Sequence, residues 1–104
     1  MTVDPGTQLT VQPVGDDVVR ASGELDIRTC ERLERTVGEL VDLGRRVVLD
    51  LSELTFCDST GLAVLVRLHK RAETAGGTLV LRSPVPRVLN LLTLTGLTRL
   101  FRVE

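Results

Sequence analysis

Aromatic residues are scarce in this chain, with two Phe and neither Trp nor Tyr among 104 residues. That removes the stacking platforms on which single-stranded nucleic acids bind. Charge of one sign is lacking too. Thirteen basic and fourteen acidic side chains give a formal net charge of −1, without the basic field that nucleic-acid phosphates require. Direct nucleic-acid binding is therefore not expected. The longest unbroken apolar run, Leu62 to Val66, is far short of the roughly 20 residues that span a bilayer. The opening M-T-V-D-P-G-T carries neither the basic nor the apolar region of a secretory signal. A cytoplasmic location without membrane association is expected. Histidine occurs once, at His69, and cysteine twice, at Cys30 and Cys57. Two cysteines at that spacing match no metal-ligand pattern and read as reduced, buried or half-buried thiols. Neither a metal nor a cofactor is expected.

What is present is an ordinary globular balance of 42% hydrophobic and 26% charged residues, enough for one compact core. No repeat, linker or low-complexity stretch divides the chain, so residues 1–104 are expected to form a single domain. Leu9 and Val11 alternate with Thr10 and Gln12, the period of a strand, and Pro13 places that strand at a sheet edge. Gly15-Asp16 supplies a tight turn, after which Val19, Ala21, Gly23 and Leu25 alternate with polar residues. An N-terminal antiparallel hairpin follows.

The period then lengthens. Cys30, Leu33, Val37, Leu40 and Val41 recur at three and four, the stripe of an amphipathic helix. Asp26 or Thr29 caps its start, and Gly44 stands where a terminating glycine belongs. Val47 to Leu51 reads as a central strand, and Ser52 to Cys57 as a loop. A second helix follows, with Asp58 as its cap and Leu62, Leu65, Val66, His69 and Ala72 on its inner face; Gly76-Gly77 ends it. Leu79 to Leu81 makes another buried strand. Pro86 opens a third helix carrying Val88, Leu89, Leu91 and Leu92, which stops by Gly96, and Leu100, Phe101 and Val103 suggest a last short strand. The order predicts an α/β fold with a mixed four- or five-stranded sheet, parallel at its centre, and flanking helices.

In such folds the chemistry gathers beyond the carboxyl ends of parallel strands. Thr55 to Leu62, T-F-C-D-S-T-G-L, is the segment that fits. Asp58, Ser59 and Thr60 fall at a helix N-terminus, where open amides and the macrodipole favour an anion. Capping alone would also explain an Asp and a Ser there. A nucleophilic serine needs a base within reach, and His69 lies about 15 Å down the same helix. Cys57-x-Ser59-x-Gly61 supplies only half of a nucleophile elbow, and no phosphate-binding loop occurs. Asp42, Asp50 and Glu53 read as exposed helix and strand ends. The sequence thus carries no self-contained active site, and no enzyme is expected. A serine so placed has another use: phosphorylation there adds about −1.5 to −2 charges without straining the helix that bears it.

At these residues the sequence resembles the STAS domain proteins, in particular the bacterial anti-sigma factor antagonists. G-E-L-D (23–26), V-V-L-D-L-S (47–52), F-C-D-S-T-G-L (56–62) and S-P-V-P-R-V-L-N-L-L-T-L-T-G-L-T-R-L-F (83–101) look like that family's pattern in the right order. The resemblance implies that Ser59 is the phosphorylation site. It implies that the unphosphorylated form binds an anti-sigma factor that is also a GHKL-type serine kinase, releasing a sigma factor. A PP2C-type phosphatase would reset the switch. The partner-binding surface would comprise Asp26 and the start of the first helix, with Asp58, Ser59, Thr60 and Gly61. Cys57 departs from the larger apolar residue common in the family, and Thr60 is a second hydroxyl beside the acceptor. Without a sensor domain or membrane region, the chain does not look like a stressosome scaffold or the tail of an anion transporter. The alternative within the resemblance is a structural STAS accessory subunit of a lipid-transport ATPase complex, in which Ser59 would merely cap a helix.

Overall fold

The structure is a computed structural model and describes residues 9–104; the opening segment read above for targeting features lies outside the described residues. Strands β1 (Leu9–Gly15) and β2 (Val18–Leu25) form the N-terminal hairpin. Helix α1 (Cys30–Val41), strand β3 (Arg46–Cys57), helix α2 (Ser59–Thr74) and strand β4 (Thr78–Arg82) follow. Helix α3 (Pro86–Leu94), a 3-10 turn (Leu97–Arg99) and strand β5 (Arg102–Val103) complete the order. The five strands lie side by side in chain order, with β1 antiparallel to β2 and every later pair parallel.

That order has a consequence for layering. Each parallel crossover steps the same way across the sheet, and right-handed crossovers then place every helix on the same face. The core agrees. Leu33, Val37, Leu65, Leu68, Val88 and Leu92 from the three helices share one buried cluster with Val19, Ala21, Val47, Leu49, Leu51, Leu79 and Leu81 from the strands. Val48 and Val80 have the opposite parity and lie outside that cluster, although both are buried. The face they occupy is charged. Arg20 pairs with Asp50 at 3.1 Å, and Glu104 pairs with both Arg46 and Arg82. These arginines lie at positions of the same parity as Val48 and Val80 on neighbouring strands, and long arginine stems on such a face shield apolar surface while their guanidinium groups stay wet. The central strand thus faces the helices on one side and a set of paired charges on the other.

The structure corrects four readings of the sequence. Ser52 to Cys57 is not a loop, because β3 runs on to Cys57 past register shifts opposite Arg20/Ser22 and Gly23/Glu24. After those shifts Leu54 and Cys57 point inward, while Glu53 accepts from the Ser22 hydroxyl at 3.0 Å. The hairpin turn is Asp16-Asp17 rather than Gly15-Asp16, since Gly15 still pairs with Val18; Asp17 takes φ 57, which aspartate tolerates. On α2, Val64 and Leu68 join the buried face, Val66 packs against the core only in part, and His69 is the partly buried face residue expected. Packed against both α1 and the sheet, α2 needs a wider apolar arc than one stripe. On α3, Val88 and Leu92 face inward and Leu89 is exposed.

Candidate functional site: the carboxyl ends of β2 and β3

Leu25 pairs with Cys57 in the parallel register, so the chain leaves both strands at the same level. Asp26 and Asp58 are the next residues, and the Asp58 amide donates to the Leu25 carbonyl at 3.3 Å. Two helix starts are thereby set side by side.

The start of α1 is turned inward. Asp26 is buried, its carboxylate accepting from the Arg28 amide at 2.9 Å and from the Arg28 guanidinium at 2.7 Å. That guanidinium holds the Asp26 pKa below its ordinary value against the opposing effect of burial, and the amides of Arg28 and Thr29 add to the lowering. Thr29 occupies the N-cap position but makes no capping bond. Its hydroxyl instead donates to the Glu24 carbonyl at 2.8 Å and accepts from the Asp26 amide at 3.0 Å. Of the two cap candidates, neither side chain caps the helix interior; Asp26 braces the turn through Arg28, and Thr29 ties it to β2. The Asp26 carbonyl carries the first turn, accepting from the amides of Thr29 and Cys30.

The start of α2 is the reverse. Asp58 is the N-cap in extended geometry, and its carboxylate accepts from the Gly61 amide at 3.0 Å. Ser59, the first helical residue, is exposed, and Thr60 is half-buried. Among the described residues the Ser59 hydroxyl makes no hydrogen bond. The capping task therefore belongs to Asp58 alone, and Ser59 is left over. Gly61 is where the helix meets β2. A Cβ there would stand 2.8 Å from Leu25 Cγ, 2.9 Å from Cys57 Sγ and 2.9 Å from the Leu25 carbonyl oxygen, so only glycine permits this approach. Cys57 beneath is buried, and burial, helped by the negative Asp58, pushes its thiol up to about 12. It stays protonated at neutral pH and presents no thiolate.

The remaining candidates are elsewhere. His69 stands at the other end of the sheet, with its Nε2 3.4 Å from Glu73 and its ring edge-on to Phe101 at 5.5 Å. It lines a shallow cleft of about 580 Å³ with Thr78 and Arg102. Asp42 pairs with Arg71, Asp50 with Arg20, and Glu53 with Ser22, so the three carboxylates do not converge. Burial works to raise the Asp50 pKa but is outweighed by hydrogen bonds from Ser52 and by Arg20, leaving it below its ordinary value. Among the described residues no three His, Cys, Asp or Glu side chains form a metal-ligating group, and no helix is long and apolar enough to cross a membrane. Sequence reasoning missed Ile27, which is 74% exposed, and Phe56, which is 37% exposed. An isoleucine in a predicted turn was the available signal for the first.

A mixed sheet with helices on one face and a capped, serine-bearing helix start between two strand ends defines a small α/β domain of the STAS type. The family model described as "Mlab, STAS domain" matches residues 9–102. The chain is 31% identical to the anti-sigma-B factor antagonist of Bacillus subtilis, over 83% of this chain and 79% of that protein. It is 32% identical to the anti-sigma F factor antagonist of Paenibacillus polymyxa, over 83% and 75%. The crystal structure of an anti-sigma factor antagonist from Mycobacterium paratuberculosis superposes with a TM-score of 0.77 and 30% identity, over 98% of this chain and 90% of that one. The chain belongs to the STAS domain family, among its anti-sigma factor antagonists.

Proposed function

We propose that this protein is a cytoplasmic partner switch, binding an anti-sigma factor when Ser59 is unmodified and releasing it when Ser59 is phosphorylated. The partner in this reading is an anti-sigma factor of GHKL serine-kinase type, which lets go of its sigma factor when the antagonist docks. The same kinase phosphorylates Ser59, and a PP2C-type phosphatase restores the docking form. Asp58 and Thr60, both half-buried, border the acceptor on the docking surface, while Asp26 and Gly61 are buried and shape that surface from beneath. The observation that carries the reading is the division of labour at α2. Asp58 caps the helix through Gly61, while the Ser59 hydroxyl is exposed and unbonded among the described residues. Thr60, half-buried, is the less accessible hydroxyl.

The consequence of modification follows from charge. A phosphate at the first turn of α2 meets the positive end of the helix dipole, so the fold tolerates it. At an interface the same group, next to Asp58, adds like charge and must be desolvated. A penalty of about 2.7 kcal/mol weakens binding roughly a hundredfold. The test is incubation with purified GHKL-type kinases of the same genome, followed by mass-spectrometric mapping. Phosphate on Ser59, abolished in Ser59→Ala while partner binding persists, is the expected result. Phosphate on Thr60 of the Ser59-intact protein would refute the assignment.

A further inference from the structure

We infer that Ile27 and Phe56 are the apolar anchors by which this protein grips a partner surface that is apolar at its centre and basic at its rim. This rests on the antagonist reading and deepens it, because that reading assigns the switch to Ser59 but not the source of affinity. Phe56 precedes the level at which Leu25 and Cys57 pair, and Ile27 follows it. Both residues therefore stand within three positions of the level at which α2 and its Ser59 begin.

Ile27 is presented rigidly. The residue before it is buried and accepts the Arg28 amide, and the amides of Thr29 and Cys30 both bond to the Asp26 carbonyl. A turn bonded on both sides of an isoleucine fixes the backbone that bears it, so docking has only its side-chain rotamers left to order. Nothing among these bonds requires an apolar residue at position 27. Their neighbours are mostly acidic, with Glu24 opposite Phe56 in the register, Asp26 before Ile27 and Asp58 two residues after Phe56, alongside the Arg28 guanidinium that pairs with Glu24 and Asp26. That pattern complements a basic rim and matches the usual anatomy of an interface, a few buried apolar contacts inside a polar border. Leu43 and Leu94 are also strongly exposed, but they close α1 and α3 at the opposite end of the sheet. They serve as controls.

The experiment measures affinity for the GHKL-type kinase that modifies Ser59, using the full chain and four single variants. Ile27→Ala and Phe56→Ala each weaken binding at least tenfold, about 1.4 kcal/mol; Leu43→Ala and Leu94→Ala stay within twofold. Thermal unfolding is recorded for every variant. Ile27 is the decisive position, because a side chain three-quarters exposed can be truncated without unfolding the domain. Affinity also falls as salt rises from about 0.05 to about 0.5 M, as a charged rim requires. Ile27→Ala binding within twofold of the unmodified protein, while Ser59→Asp fails to bind, overturns the anchors and leaves the switch standing. Salt-independent affinity overturns the basic rim. Failure of the unmodified protein to bind any of the genome's GHKL kinases defeats the antagonist reading, and the anchors fall with it.

Discussion

The two helix starts at the carboxyl end of the sheet use the same kinds of residue to opposite ends. At α1 an aspartate and a threonine are buried and bonded internally, Asp26 to Arg28 within the turn and Thr29 to the Glu24 carbonyl of β2. At α2 the aspartate alone caps the helix and the hydroxyl residue that follows is exposed. A polar side chain that a fold needs is one whose bonds are made internally. A polar side chain left unbonded at a helix start, with the dipole behind it, is available to a reagent from outside.

Substitutions can break this contrast, and the largest effect belongs to the residue that lets the two starts meet. Gly61→Val forces a side chain onto Leu25 and Cys57, an overpacking that costs about 1–3 kcal/mol and is read from urea unfolding. Thr29→Val keeps the shape but strands the Glu24 carbonyl and the Asp26 amide, costing about 1–3 kcal/mol where those groups are buried. Asp58→Ala removes one capping bond, and a loss of about 1 kcal/mol is expected. Ser59→Ala is the smallest change, within about 0.5 kcal/mol of the unmodified protein. A Ser59→Ala loss as large as that of Thr29→Val would erase the distinction between the two starts.

Titration sharpens the same contrast. The Asp26 pKa is lowered, first by the Arg28 side chain. A depressed carboxylate contributes stability above its unfolded pKa of about 3.9, and that contribution is lost as pH falls through the folded value. Asp26→Asn is therefore less stable than the unmodified protein at neutral pH, and the gap closes in acid. Urea unfolding from about pH 7 down to about pH 2.5 follows it; a gap that widens on acidification contradicts the assigned role of Arg28.

Much of this architecture was legible because period and punctuation agree. Alternation over Val19 to Leu25, the three-and-four spacing from Cys30 to Val41, and the glycines at 44 and 76 mark real elements and real ends. Asp58 as the α2 cap was legible for the same reason. The second half of β3 was not, because register shifts against β2 interrupt its alternation between Leu51 and Leu54. Nor does a sequence show that Thr29 turns away from its helix, since the competing acceptor, Glu24, belongs to the preceding strand. The charged face that Val48 and Val80 share escapes sequence reading as well. That face gathers arginines from three strands, Arg20 paired to Asp50 and both Arg46 and Arg82 paired to Glu104, residues far apart in the chain.

The account's central claim is that a phosphate on Ser59 acts on the partner and not on the fold. The most direct measurement compares fully phosphorylated and unmodified protein in two readouts, thermal unfolding and affinity for the GHKL-type anti-sigma factor. The phosphorylated form is predicted to melt within the shift of a stabilising contact of about 0.3–1 kcal/mol while binding at least a hundredfold more weakly. Equal affinity for the two forms, or a phosphorylated form that unfolds well below the unmodified one, would contradict it.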